Sequence, residues 1–530
     1  MQTVEPQGPP RGPLPPVVAA LAGLAHAASL TWPGAVSSAP MVWLGVQPGQ
    51  PVWWLQVLSL AVLGHLLRNC RNWRLAAVMA GLFGLAWFAG SVSWTFVSLH
   101  TYGGLPVGLA VLAVWALSSL LALFYAVAGG MFVLLRPAPG ASTGLAFVAL
   151  WLLAELARGT WFTGFGWGAS GYAHTDGPLA VYAPWLGVYG LCALSAALAM
   201  WLVQMVYASG WRVRAVHLIA MAVLLSLSNL LSRGAQGFTV ASGQIDVTLL
   251  QGNIPQDEKF ESGSGIPLAL KWYAEQLKNS RTSLVVAPET AIALLPQQLP
   301  TSYWESLENR FATGRQAALI GIPLGDARQG YTNSVVGLKP GQTQAWHYDK
   351  QHLVPFGEFI PPFFKWFTAL MNIPLGDFNR GARQQLPFEW QGQRLSSNIC
   401  YENLFGEELA VQFADPAFVP SLFVNVSNLA WFGDGLATDQ HLQITRMRAL
   451  EFERAFVMAT NSGATAIVDH RARITSSLTR ATRGILVGQV EGRSGVTPYA
   501  WWVARFGLWP LWLLALALLW PSLRRTSRSS

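Results

Sequence analysis

The stretch LSSNICYENLFGEE (residues 395–408) runs from an apolar, β-type segment straight into a cysteine, with a carboxylate two positions later. An acidic neighbour suppresses thiolate formation, so Cys400 beside Glu402 makes sense only if other groups meet the cysteine in space. The chain supplies such groups. QIDVTLLQGNI (244–254), SLVVAPET (283–290), AALIGIPLG (317–325), RLSSNICYE (394–402) and PSLFVNVSN (420–428) are short β-type runs bounded by turn residues. Helical patterns lie between them, clearest in HLQITRMRALEFERA (441–455). That alternation indicates an α/β domain, here over 232–498.

Open α/β sheets place their sites at strand ends. Glu289 follows the run LVVAP, Lys350 follows a strand-like stretch within HYDKQHLVPFGEF (347–359), and Cys400 closes its own run. Three reactive side chains at three strand ends can converge. A thiol with an ordinary pKa of about 8.5 is only slightly ionised at neutral pH, and needs a base or a positive neighbour. In such a constellation Glu289 takes the proton and Lys350 offsets the charge of thiolate and oxyanion. Each residue also has an ordinary reading. A Glu after Pro is commonly a cap or surface group, a loop Lys is commonly solvated, and a lone Cys is commonly a small buried hydrophobe. Spacing alone does not choose.

Composition adds a membrane. The chain has 530 residues, 52% hydrophobic and 11% charged, with 25 Trp; an ordinary soluble domain is about 25% charged. Apolar stretches fall at about 15–31, 51–67, 75–98, 104–135, 143–160, 181–207, 213–231 and 499–521. Several exceed the roughly 18 residues that mark a spanning helix. The reading is a disordered Pro-rich leader over 1–16, a seven-span transmembrane domain over 17–231, the α/β domain over 232–498, a last transmembrane helix over 499–521 and a basic tail over 522–530. Arg68, Arg71 and Arg74, then Arg136, then Arg212 and Arg214, and finally the tail all fall on one side of this arrangement. Positive residues collect in the cytoplasm, which puts the α/β domain outside it. The net charge of +8 is scattered over loops, and so reads as membrane orientation, not nucleic-acid binding. LAHAAS (24–29) is similar to a signal-peptidase site, but the long leader with its single Arg11 argues against cleavage. Cys70, Cys192 and Cys400 are odd in number and far apart, so no disulfide framework is legible and Cys400 reads as a free thiol. No metal-binding motif appears, and no cofactor is called for.

QGNIPQ (251–256), VVAPETA (285–291), YDKQHLVPFGEFIP (348–361), NICYENLFGE (398–407), NLAWFG (428–433), HLQITRMRALE (441–451) and TNSG (460–463) resemble the nitrilase-type domain of the apolipoprotein N-acyltransferase family. SWTFVSLHTYGG (93–104), ELARGTWFTGFGW (155–167) and GVTPYAWWVARFGLWPLW (495–512) extend the resemblance into the membrane part. It implies about eight transmembrane helices in the bacterial inner membrane, and a periplasmic catalytic domain built as an αββα sandwich. By that resemblance Glu289 matches the general base, Lys350 the oxyanion-stabilising lysine and Cys400 the nucleophile. Glu358 matches a further functional glutamate, and Tyr401 and Glu402 match residues needed beside the nucleophile. Two positions depart from the family pattern: Phe260 stands where a Trp is usual, and Leu429 where an Asp is usual.

The resemblance further implies ping-pong acyl transfer. Cys400 takes an acyl chain from a phospholipid as a thioester, and the α-amine of a diacylglyceryl-modified apolipoprotein cysteine receives it. The implied partners are therefore phospholipid, apolipoprotein and bilayer, with no nucleic acid, and a monomer suffices. Candidate substrate contacts are Phe260, Trp431, and Phe363, Phe364 and Trp366 in FIPPFFKWFTALMNIP (359–374), which reads either as an interfacial lid or as a buried helix. Trp161 and Trp167 in GTWFTGFGW (159–167) read either as an opposing wall or as a Trp belt. Two other classes use parts of the pattern. A membrane-tethered amidase or nitrilase needs the three reactive residues but a single anchor, and a transporter or scaffold needs the spans but not the three residues.

Overall fold

The computed structural model describes residues 14–33, 45–135, 137–138, 140–234, 237–342, 344–360 and 378–529. All seven apolar stretches before residue 232 form helices: α1 (Leu14–Leu30), α2 (Trp53–Asn69), α3 (Trp73–Ser91), α4 (Val107–Leu134), α5 (Ala141–Thr160), α6 (Ala183–Tyr207) and α7 (Trp211–Gly234). Among the described residues four helical segments are long and apolar enough to cross a membrane: Trp73–Ser91, Val107–Leu134, Ala141–Thr163 and Ala180–Tyr207. Helix α4 leaves Leu112, Leu120, Leu123 and Val127 exposed, as a helix bordering hydrocarbon does. Helices α5 and α6 are largely enclosed by their neighbours. Of the leader expected over 1–16, residues 1–13 lie outside the described residues, and Leu14 already opens α1. Pro15 and Pro16 sit in its first turn, where a missing N–H is tolerated.

The following α/β unit is two sheets of six strands. The first has order β12-β1-β2-β3-β4-β5, formed by β1 (Thr239–Gln251), β2 (Leu284–Val286), β3 (Ala317–Asp326), β4 (Gly330–Leu338), β5 (Trp346–Asp349) and the returning β12 (Gly484–Gly495). The second has order β11-β10-β9-β8-β7-β6, formed by β6 (Phe388–Trp390), β7 (Gln393–Ile399), β8 (Leu422–Ser427), β9 (Phe456–Thr460), β10 (Ala466–Val468) and β11 (Ile474–Ser477). Each sheet has three parallel central strands, β1-β2-β3 and β7-β8-β9, flanked by antiparallel ones. Strands buried on both faces need near-continuous apolar runs, which is why LVV and LFVNV carry no alternation.

The inner faces meet in one core that includes Val247, Leu249, Val286, Leu319, Leu395, Val424 and Val457. On the outer face of the first sheet lie α8 (Gly265–Asn279) and α9 (Tyr303–Ala312). Helix α10 (Leu436–Phe452) covers the second sheet. The layering is helix, sheet, sheet, helix.

The single helix expected over 499–521 is instead two helices. Helix α11 (Pro498–Phe506) packs Tyr499, Ala500 and Val503 onto the second sheet's outer cluster. Helix α12 (Trp509–Ser529) then leaves at an angle of 91°. Gly507 takes a left-handed conformation (φ +55) and Pro510 follows in the first turn of α12, so the helical hydrogen-bond ladder stops between them. The tail expected over 522–530 continues α12 as far as Ser529.

Helix α10 joins the two halves. Gln440 accepts hydrogen bonds from the indoles of Trp94 (3.0 Å) and Trp167 (2.6 Å) and donates to the Ser91 carbonyl (3.0 Å). Arg446 pairs with Asp176, and Glu451 accepts the Val188 N–H at 2.7 Å. Ile444 and Met447 enter the apolar core of the helical region. Replacing Gln440 by leucine strands two buried indole donors and a carbonyl. Gln440→Leu is expected to remove about 2–4 kcal/mol of stability, read as a fall of several degrees in the unfolding midpoint in detergent. Gln276→Leu, on a helix of the outer layer, serves as the control that leaves the midpoint in place.

Candidate active site

Four strand ends meet beneath the junction of the two sheets. Cys400 follows β7 directly and has a left-handed backbone (φ +53) that turns the chain into a short 3₁₀ segment, Cys400–Leu404. A non-glycine residue there costs about 1–2 kcal/mol and persists only where its surroundings enforce it. Glu402 is what enforces it. Its Oε2 accepts the Ile399 N–H at 2.6 Å, its Oε1 accepts the N–H groups of Gln351 (2.6 Å) and His352 (3.1 Å), and the Tyr348 hydroxyl donates to both oxygens. Burial pushes this carboxyl up to about 7, against the pull of those backbone donors and of Lys350. Its hydrogen bonds run to backbone and tyrosine. Glu402 ties the Cys400 turn to the loop carrying Lys350.

Lys350 leaves the end of β5 and is buried, with its own N–H on the Asn333 carbonyl (2.8 Å). Its ammonium donates to Glu358 Oε1 at 2.9 Å and to Glu289 Oε1 at 3.4 Å. Burial works against the charge, but Glu358 and Glu289 outweigh it and hold Lys350 above the ordinary lysine range, so it stays an ammonium. Asn333, in β4, donates its amide to Glu289 Oε1 and Glu358 Oε1, both at 2.8 Å. The outer oxygens are also satisfied: Glu289 Oε2 accepts the Asn428 N–H and Glu358 Oε2 the Val354 N–H, each at 2.9 Å. Both carboxylates are thus held as acceptors in fixed orientations.

Cys400 faces this cluster. Burial raises its thiol well above the usual range, Glu289 and Glu358 add to that, and Lys350 and the Asn428 N–H oppose it. The resting sulfur therefore carries its proton. Attack on a carbonyl requires the proton to leave as the new bond forms, which calls for a general base, and Glu289 is the carboxylate with the strongest influence on the thiol. Behind Cys400, His441 Nε2 meets its backbone carbonyl at 3.2 Å. Burial lowers His441 to about 4, so it is neutral at physiological pH and carries its hydrogen on Nε2.

The remaining candidates are distributed unevenly. Tyr401 is buried and donates to the Gly164 carbonyl at 3.2 Å, so the loop 159–167 does touch the site. Trp167 does not face it as a wall. Its indole is buried, bonded to Gln440 and stacked near His441, because Arg158 draws the carbonyls of Phe165 and Trp167 inward. Trp161 points outward and stacks on Trp512 of α12. Trp431 is half-buried, its ring edge-on to Tyr102 and its carbonyl accepting from Ser98. Phe260 is half-buried beside Lys259. Leu429 lies in the core between the sheets, where an unpaired carboxylate would be costly. Phe363, Phe364 and Trp366 lie outside the described residues.

Two family profiles match the chain: the apolipoprotein N-acyltransferase N-terminal domain over residues 38–201, and carbon-nitrogen hydrolase over 240–499. The apolipoprotein N-acyltransferase of Verminephrobacter eiseniae (strain EF01-2) is 53% identical over 515 residues, covering 92% of each chain. The chain belongs to the apolipoprotein N-acyltransferase family. The apolipoprotein N-acyltransferase of Ralstonia nicotianae (strain ATCC BAA-1114 / GMI1000) is 41% identical, with 84% of each chain covered. Among solved structures, Saccharomyces cerevisiae Nit3, a member of branch 10 of the nitrilase superfamily, matches at 15% identity with a TM-score of 0.34, covering 47% of this chain and 91% of its own.

Within this candidate site, four neighbouring residues escape a reading of the sequence: Asn333, Asn428, His441 and Lys259. Asn333 had a signal, being an asparagine in the strand YTNSVVGL where asparagine is disfavoured without a partner. Asn333→Leu keeps the volume and removes the donor shared by Glu289 and Glu358. Acylation of a diacylated lipopeptide is expected to fall roughly 10–100-fold, with the unfolding midpoint within a few degrees of wild type.

Proposed function

We propose that this chain acylates the N-terminal amine of apolipoproteins, taking the acyl group from a phospholipid through a thioester on Cys400. The observation that carries the reading is where the nucleophile sits. Tyr401, Leu404 and Phe405, which follow Cys400 in its turn, belong to the same apolar cluster as Trp87, Trp151 and Leu191 of the helical region. A hydrolase of small soluble amides has no need to root its nucleophile in a membrane domain. An enzyme whose substrates are both lipids does.

In the first half-reaction the Cys400 sulfur attacks the phospholipid ester carbonyl while Glu289 takes the thiol proton. Lys350 and backbone N–H groups balance the oxyanion. The ester C–O bond then breaks, Glu289 returns the proton to the departing glycerol oxygen, and a lysophospholipid leaves with the acyl chain retained as a thioester. In the second, the free α-amine of the diacylglyceryl-cysteine attacks the thioester. Its proton passes through Glu289 to the sulfur as the C–S bond breaks, giving an amide and the resting thiol. Glu358 and Asn333 fix Lys350 and Glu289, and Tyr401 and Glu402 fix the turn that bears Cys400.

The proposed setting is the bacterial inner membrane, crossed about eight times, with the catalytic unit on the periplasmic side. Its support is the concentration of Arg68, Arg71, Arg74, Arg212 and Arg214 in loops opposite that unit. Exposed side chains of α4 and the Trp161–Trp512 stack outline a surface suited to lipid.

The test is intact-mass analysis of purified protein incubated with phospholipid vesicles. Wild type is expected to gain one acyl chain that hydroxylamine removes, and Cys400→Ala to gain none while folding normally. Equal labelling of the alanine variant would remove Cys400 from the reaction.

A further inference from the structure

The two carboxylates that hold Lys350 beside Cys400, Glu289 and Glu358, are matched by a second cation only if Lys259 is counted. Buried Glu402 stands apart, its oxygens taken up by backbone N–H groups and the Tyr348 hydroxyl. Among the groups described above, Glu289 and Glu358 are two buried carboxylates facing the thiol, against one ammonium, Lys350. With Lys350 alone the group carries an excess negative charge in a water-poor site, and forming a thiolate deepens it. Such an arrangement strongly opposes ionisation of the sulfur.

Lys259 stands in the turn after β1 and is 2% exposed. Its ammonium donates to the Glu289 backbone carbonyl at 3.2 Å, its one hydrogen bond among the described residues. Among those residues no carboxylate oxygen lies within ion-pair distance of it. A lysine ammonium has three donors, so two remain uncommitted in a site that excludes water. It interacts electrostatically with Glu289 and with Cys400, and these two oppose the burial that lowers it to about 8.

We propose that Lys259 is a positioning residue for the acyl transfer, the second cation that balances Glu289 and Glu358 beside Cys400 and so permits proton transfer from sulfur to Glu289. With it, Lys259 and Lys350 stand against Glu289 and Glu358. Moving the proton from Cys400 to Glu289 then leaves the net charge of the group at zero. Lys350 cannot fill this place alone, because its single positive charge already faces two carboxylates, Glu358 at 2.9 Å and Glu289 at 3.4 Å. The inference rests on the roles proposed above for Cys400 and Glu289.

Three variants separate charge from hydrogen bonding. Lys259→Met removes both, Lys259→Gln keeps a donor for the Glu289 carbonyl without charge, and Lys259→Arg keeps the charge. The substrate-independent readout is the rate of iodoacetamide alkylation of Cys400 against pH, followed by mass of the peptide bearing it. The titratable groups around Lys259 and Cys400 in that profile are Glu289, Glu358, Lys350, Glu402 and His441. Both neutral variants are expected to alkylate about tenfold more slowly at pH 7.5, with the midpoint of the profile displaced to higher pH. Lys259→Arg is expected to stay within about threefold of wild type. Thioester formation from phospholipid should fall in parallel in the neutral variants. A Lys259→Gln protein that alkylates and acylates like wild type overturns the inference, since the hydrogen bond alone then suffices. Wild type that shows the Lys259-dependent alkylation profile yet forms no thioester would leave the charge role standing and refute the acyl-transfer reading instead.

Discussion

Burying a lysine ammonium is costly, and at Lys350 two carboxylates held in fixed orientations offset that cost. Lys350 sits between Glu289 and Glu358, and Asn333 bridges the same two oxygens from the neighbouring strand. Removing Lys350, Glu289 or Glu358 leaves a buried charge without its partner, which costs several kcal/mol where a surface pair costs little. The ends of β2 and β5, the middle of β4 and the loop at 358 are therefore fixed relative to one another by electrostatics as much as by packing. Glu402 extends the constraint to Cys400 by holding both the nucleophile's turn and the lysine loop through backbone N–H groups.

The second theme is continuity between chemistry and membrane. The left-handed backbone at Cys400 directs the following residues into the core of the helical region, while His441 and Gln440, adjacent on α10, reach the nucleophile's carbonyl and two indoles of that region. A shift of the membrane helices would move the carbonyl behind the nucleophile, not merely a distant anchor.

Much of this was legible in the sequence, and the reason is local. Strand-like runs before Glu289, Lys350 and Cys400 announce an α/β domain whose strand ends can converge, the family resemblance alone gives those residues roles, and the apolar stretches announce the helices. What the sequence hides is direction and partnership. Hydropathy over 499–521 is continuous across Gly507, so it cannot register a 91° bend. Trp167 looks like an interfacial aromatic until Gln440, 273 positions away, is seen to take its N–H. Glu402 reads as an opponent of the thiolate until its oxygens are found on backbone donors. Lys259 looks like a solvated turn residue because nothing in QGNIPQDEKF reveals that the turn folds under the active site.

The most direct measurement is a single-turnover chase. Enzyme loaded with a deuterated acyl chain from phospholipid, freed of donor, is mixed with a diacylated lipopeptide, and the masses of both are followed together. The account predicts that Cys400 loses the labelled chain as the lipopeptide gains it in an amide at its N-terminal amine, one for one. Loss of the label as free fatty acid, with the lipopeptide unchanged, would contradict acyl transfer and make the protein a membrane-bound hydrolase.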